Sequence, residues 1–155
     1  DPTLKAIATG VESTAIIEAG QRLRAAGMFC SVTCLLGIAG AVLSQEHARA
    51  TADVLNQMQP HQIAVLTLML LPNTPLYRLW QNGRFALPDQ RGLFDELRTM
   101  LAGLGTHRCQ FHANHASNYF ALNGRLPKDQ EQMLATIDLA LAGELLLKPD
   151  TYRGL

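Results

Sequence analysis

Two uncharged runs decide what this chain can fold into. Residues 28–40 read MFCSVTCLLGIAG and residues 62–71 read QIAVLTLMLL. Each is too short to cross a bilayer, which takes ~18–20 apolar residues in a row. Each also ends in strand-stopping chemistry. The first runs into Gly37, Ile38, Ala39 and Gly40; the second runs into Pro72, Asn73, Thr74 and Pro75. Proline lacks the N–H that a strand ladder requires. A strand buried within a parallel sheet reads as a near-continuous apolar run, so 28–36 and 62–71 are expected strands. Alternation along the first places Met28, Cys30, Val32, Cys34 and Leu36 on one face. Phe29, Ser31, Thr33 and Leu35 form a mixed face that suits a lumen or cleft, with Ser31 and Thr33 towards it. Since neither face carries charge, both are expected to be covered.

Helical patterns surround these runs. Residues 1–10 form a short helix with Leu4 and Ile7 on one side. Residues 12–26 form a longer one, with Ile16, Gly20 and Leu23 at helical spacing and Gly27 as its C′ residue. Ser44 is the expected N-cap of a helix to Met58, with Ala48, Thr51, Ala52 and Leu55 on its buried side. Residues 76–82 make one or two turns, and residues 92–104 are amphipathic through Leu93, Leu97, Met100, Leu101 and Leu104. Residues 108–112 are an expected third strand and residues 114–126 are irregular. Pro127 opens a helix to about Leu146, and residues 148–155 wrap or fray. Alternation of strand and helix implies a parallel sheet with right-handed crossovers. Two or three strands cannot close a barrel, so an open sheet edge is expected.

The 155 residues suffice for one domain, and 13 basic residues balance 13 acidic ones. That balance supplies no electrostatic footprint for nucleic acid, and no membrane span is expected. Three cysteines, an odd number, fit a reducing cytoplasm better than a disulfide framework. The opening residues read as the interior of a helical sequence, so the chain is expected to be part of a longer one.

Candidate chemistry is sparse. Cys30 and Cys34 have the C-x-x-x-C spacing of an iron–sulfur loop, yet they fall on the apolar face of a strand and the next required position is Gly37. Packing explains them. Cys109, His112 and His115 are three residues apart and could ligate a borderline metal, or they could belong to a polar loop beside a substrate cleft. Gly37 and Gly40 stand at the C-terminal end of a parallel strand, where ligands bind in α/β folds. Asp53, Asp95, Glu96 and Asp138 read as solvated helix faces, and His47 reads as structural.

The order of these segments resembles the C-terminal half of a radical S-adenosylmethionine (radical SAM) enzyme. The likeness is to a branch related to the elongator-type, MiaB-type and oxygen-independent coproporphyrinogen oxidase groups. Residues 1–7 (DPTLKAI) resemble the helix after the family's fourth strand. Residues 17–27 resemble the helix leading into strand five, and 33–40 that strand and its glycine turn. Residues 66–77 (LTLMLLPNTPLY) are similar to strand six and its ending. Residues 111–127 (FHANHASNYFALNGRLP) are similar to the tail block of that branch.

The resemblance implies an α/β fold: part of a (β/α) partial TIM-like barrel, two to three parallel strands with covering helices, and a C-terminal helical extension. Residues 1–105 would be the half barrel and 106–155 the extension packed on it. It implies an oxidoreductase that cleaves S-adenosylmethionine reductively at a 4Fe–4S cluster. The resulting 5′-deoxyadenosyl radical takes hydrogen from a small-molecule or unknown substrate. The cluster's cysteines lie outside this sequence, so the chain alone is expected to be inactive. The family's G-x-I-x-G-x-x-E pattern falls on Thr33, Leu35, Gly37 and Gly40. Gly37 is identical, Leu35 is conservative, and Thr33 and Gly40 depart from it. Adenosyl contacts would therefore be mainly backbone and apolar, with Met69, Leu70 and Leu71 bonding the adenine through their backbone. His115, Ser117 and Asn118 are the substrate-side candidates. Two other readings stand beside this one: a metal-binding module using Cys109, His112 and His115, and a structural domain that forms a homo-oligomer through its open sheet edge.

Overall fold

A computed structural model describes residues 2–7, 10–105 and 107–153. The elements are α1 (Pro2–Ala6), α2 (Ser13–Ala25), β1 (Ser31–Leu36), α3 (Gly40–Met58), β2 (Gln62–Thr67), α4 (Pro75–Gln81), α5 (Gln90–Gly103), β3 (Cys109–Ala113), β4 (Leu122–Leu126) and α6 (Gln130–Ala142). A single 3-10 turn, Asp150–Tyr152, follows. The strands form one open mixed sheet in the order β1-β2-β3-β4. The first three are parallel and β4 is antiparallel to β3. The α/β class and the parallel crossovers agree with the sequence; the sheet is open rather than a barrel. Residues beyond 106 supply β3, β4 and α6 to the same sheet and core.

Helix α5 packs against α3 on one side and α6 on the other. The three helices cover the face carrying Cys34, Leu36, Ile63, Val65, Phe111 and Leu126, all buried. The register sets Thr33 beside Ala64, Ala64 beside His112 and His112 beside Asn123 on the other face. There Ser31, Thr33, Gln110, Asn123 and Arg125 are exposed. Among the described residues the expected cover on both faces thus exists on one only.

Several boundaries differ from the sequence reading, each for a local reason. Strand β1 begins at Ser31 because the Met28 amide closes α2 by donating to Leu23 O, with Gly27 in the left-handed region. Met28 and Phe29 are left exposed, and Phe29 stacks on His61. Strand β2 ends at Thr67, not Leu71, because its partner ends: Leu68 N donates to Leu36 O and the chain then enters the β1–α3 turn. Helix α3 starts at Gly40, so Ser44 lies inside it rather than at its cap. Strand β4 falls in the stretch expected to be irregular. Helix α6 begins at Gln130, because Asp129 folds the chain back: its Oδ2 accepts from Arg125 N and its own N–H donates to Arg125 O. It ends at Gly143, which has φ 77°. The helix expected over residues 1–10 is α1; residues 1, 8 and 9 lie outside the described ones.

Candidate functional site

Two polar groups stand at the C-terminal ends of the parallel strands. The first is built around Glu96. Its helix, α5, starts at Asp89, whose side chain accepts from Gly92 N. From there the apolar stripe of Leu93, Leu97 and Met100 faces the sheet. Glu96 shares that stripe and is fully buried, which corrects its reading as a solvated residue. A carboxylate offers only acceptors, and four contacts serve it. The Gly37 amide lies 3.2 and 3.1 Å from its two oxygens, Ser44 Oγ donates to Oε2 at 2.7 Å, and His47 Nδ1 lies 2.9 Å from Oε1. Burying a charge is costly unless it is paired and hydrogen-bonded, and here both oxygens are served. Glu96 therefore fixes the turn between β1 and α3. The signal that could have found it is its position between Leu93 and Met100 on the buried stripe.

The second group replaces ladder bonds that β3 does not make. Strand β3 pairs with β2 only as far as Ala64 opposite His112. Beyond that, Asn118 Nδ2 donates to Val65 O at 2.8 Å and Thr67 N donates to Ser117 Oγ at 3.1 Å. Thr67 Oγ1 also donates to Asn118 Oδ1. Ser117 N and Ser117 Oγ both lie within reach of His115 Nδ1, at 3.2 and 2.9 Å. Nδ1 must accept from the amide, so a neutral His115 carries its proton on Nε2. Arg153 ties the tail down: its Nε donates to Ser117 O and its guanidinium lies over the Tyr119 ring. The tail thus wraps. Phe94, Tyr119 and Phe120 pack edge to face. Between them, Leu36 and Thr67 only about 10 Å³ remains open.

The residues suggested for adenosyl contact fall into two sets. Thr33 is exposed and Leu35 half-buried on the uncovered face of β1. Met69 and Leu70 are half-buried, and Leu71 exposed, in the segment after β2. Gly37 and Gly40 are buried beneath residues 85–88. A Cβ on Gly37 would meet Leu87 and Leu93 at 3.1 Å, and one on Gly40 would meet Ala86 O and Phe85 at 3.2 Å. With the Gly37 amide held by Glu96, that donor is already taken. His115, Ser117 and Asn118 do come together, bonded to the end of β2. His112 bonds Asn123 at 2.9 Å on the uncovered face.

The metal reading does not assemble. Alternation along β3 sends Cys109 into the core and His112 to the opposite face. Among the described residues no three His, Cys, Asp or Glu side chains are placed to hold a metal ion. All three cysteines are free and buried. Burial pushes the Cys34 thiol up to about 12, with Cys109 adding to the shift. Burial likewise pushes Cys109 to about 11, against the pull of a backbone hydrogen bond from Ile63 and the charge of Arg24. These are packed thiols, not thiolate ligands for a cluster. Among the described residues no helix is long and apolar enough to cross a membrane. No family model, curated protein or solved structure matches the chain.

Proposed function

We propose that this chain is the C-terminal half of a radical SAM enzyme's partial barrel. One observation carries the reading: among the described residues α3, α5 and α6 lie on one face of the parallel β1-β2-β3 sheet, while no helix covers the other, where Ser31, Thr33 and Gln110 are exposed. A doubly wound sheet is covered on both faces, whereas a barrel wall has helices outside and a lumen within. Strand β1 is an edge strand, so further strands have a place to join. In this reading the whole enzyme is a cytoplasmic oxidoreductase. A 4Fe–4S cluster held by other chain, together with S-adenosylmethionine, supplies radical hydrogen abstraction from a small-molecule substrate.

This chain's share is a wall and no catalytic residue. Thr33 and Leu35 line the lumen beside Ala64 and Leu66. Backbone groups of residues 69–71 border the nucleoside at the strand ends, while Gly37, buried and with its amide held by Glu96, keeps the turn beside them in place. His115 presents its protonated Nε2 on the substrate side. Ser117 and Asn118 hold that loop in position. The test is the coding sequence before residue 1. A C-x-x-x-C-x-x-C loop on a preceding strand is expected, and an upstream sequence without one overturns the reading.

A second reading has its own observation. The free edge of β1 carries Ser31, Val32, Thr33, Cys34, Leu35 and Leu36, without the charge or proline that protects edge strands. Pairing with another copy through that edge would make the chain a homo-oligomeric module. Light scattering separates the two: a stable dimer lost on Thr33→Pro supports the module, and a monomer excludes it.

A further inference from the structure

Along the edge of β1, against α1, α2 and α3, lies a groove of about 510 Å³. Its walls are Leu4, Ile16, Leu35, Ile38, Val54 and Met58, from α1, α2, β1, the β1–α3 turn and α3. Its volume falls within the roughly 300–1,000 Å³ of small-molecule sites, which are mostly apolar with a few fixed polar groups. The fixed polar group here is His47. Its side chain is 16% exposed and lines the groove.

Glu96 decides what His47 can offer. A carboxylate cannot donate, so the 2.9 Å contact places the imidazole proton on Nδ1. In the neutral ring Nε2 is then an acceptor. Its one protein neighbour among the described residues is Thr51 Oγ1 at 3.4 Å, at the long limit of a hydrogen bond. Nε2 is thus a pre-oriented and poorly served acceptor on an apolar wall. A hydrogen bond returns up to about tenfold in affinity net, so a donor from a ligand gains there. The lining also limits the ligand's charge. It contains no Lys or Arg, and Glu46 is its one carboxylate. An anion finds no partner and meets a like charge.

We propose that this groove is a binding site for a compact, uncharged, apolar molecule carrying one hydroxyl, which donates to Nε2 of His47. The proposal does not rest on the radical SAM reading: it takes the edge of β1, with α1, α2 and α3, as it stands in this chain. His47 is the anchoring residue, and Glu96 acts through it by fixing the ring's tautomer and orientation.

The test is a titration of the isotope-labelled chain with 2-naphthol, read by amide and histidine-ring nitrogen resonances. Saturable shifts of His47 Nε2 and of the Ala50 and Thr51 amides are expected. 2-Methoxynaphthalene keeps the shape but has no donor, and should bind about tenfold more weakly, the equivalent of one hydrogen bond. 2-Naphthoate should not bind. Ala50→Phe fills the groove without touching the Glu96 network and should abolish the shifts. His47→Phe should bring the two naphthalenes to equal affinity. The proposal is overturned if 2-naphthol gives no saturable shift. It is equally overturned by equal binding of the methoxy compound to the unaltered chain, or by shifts that map to the uncovered face and survive Ala50→Phe.

Discussion

Glu96 Oε1 and His47 Nδ1 lie 2.9 Å apart across 49 residues of chain, with the Glu96 side chain wholly buried. The contact joins the two helices that flank β1 and β2 on the covered face. It also fixes the turn through which β1 enters α3, because the same carboxylate takes the Gly37 amide and the Ser44 hydroxyl. One side chain therefore links the end of a strand, the first turns of one helix and the middle of another.

Removing it should be among the most damaging single changes available. Glu96→Ala leaves an amide, a hydroxyl and an imidazole without their acceptor, and should cost about 3–5 kcal/mol, as breaking a buried pair does. Glu96→Gln keeps one acceptor oxygen and turns the other position into a donor facing donors, so a smaller loss of about 1–3 kcal/mol is expected. Urea unfolding followed by circular dichroism measures both. Equal stability of the alanine variant and the unaltered chain would remove Glu96 from this role.

How much of this was legible depends on whether local pattern or distant contact made the feature. Strands β1 and β2 were legible because each is an uncharged run with a breaker at its end. Strand β4 was not: Leu122, Asn123, Gly124, Arg125 and Leu126 show only two apolar positions. Its Gly124 owes its place to Met133, whose sulfur lies 2.7 Å from where a Cβ would stand. Glu96 reads as solvated by residue type alone, although Leu93 and Met100 flank it on the buried stripe. Asp138 is exposed, as its residue type implies, and it pairs with Arg98 at 2.6 Å. The grouping of Ser117 and Asn118 with Thr67 depends on where β3 stops pairing, which no local signal encodes.

That grouping carries its own prediction. Ser117→Ala removes the acceptor of the buried Thr67 amide, and a buried donor left unpaired costs about 1–3 kcal/mol. The loss should be local as well as global. Hydrogen exchange at Thr67 should accelerate more than at Ile63, deep in the same strand. Uniform acceleration along β2 would show that Ser117 contributes only to overall stability.

Gly20 shows where α2 meets α3. A Cβ there would stand 2.4 Å from Met58 Cε and 2.6 Å from Met58 Cγ. Alanine is the better helix former by about 1 kcal/mol, but overpacking costs about 1–3 kcal/mol. Cγ lies too near the backbone for the side chain to swing away freely. Gly20→Ala should therefore destabilise by up to about 2 kcal/mol, and Gly20→Ala combined with Met58→Ala should be more stable than the sum of the two single changes. A stabilised Gly20→Ala variant would mean that the helices separate without cost.

The cysteines give a pH dependence whose sign follows from burial. The folded Cys34 thiol is raised to about 12 from an ordinary value of 9.0. The unfolded chain therefore loses this proton first. Stability from the protonated thiol is complete below pH 9 and is lost as pH rises towards 12. For Cys34 the loss between pH 8 and pH 10 is about 1.4 kcal/mol. Cys34→Ala should lower stability at pH 8 through the vacated space, and its deficit against the unaltered chain should shrink by about that amount at pH 10. Ellman's reagent should label Cys34 and Cys109 at pH 8 only as fast as the protein unfolds. A deficit that stays constant from pH 8 to pH 10, or fast labelling of the folded chain, would show that these thiols reach water.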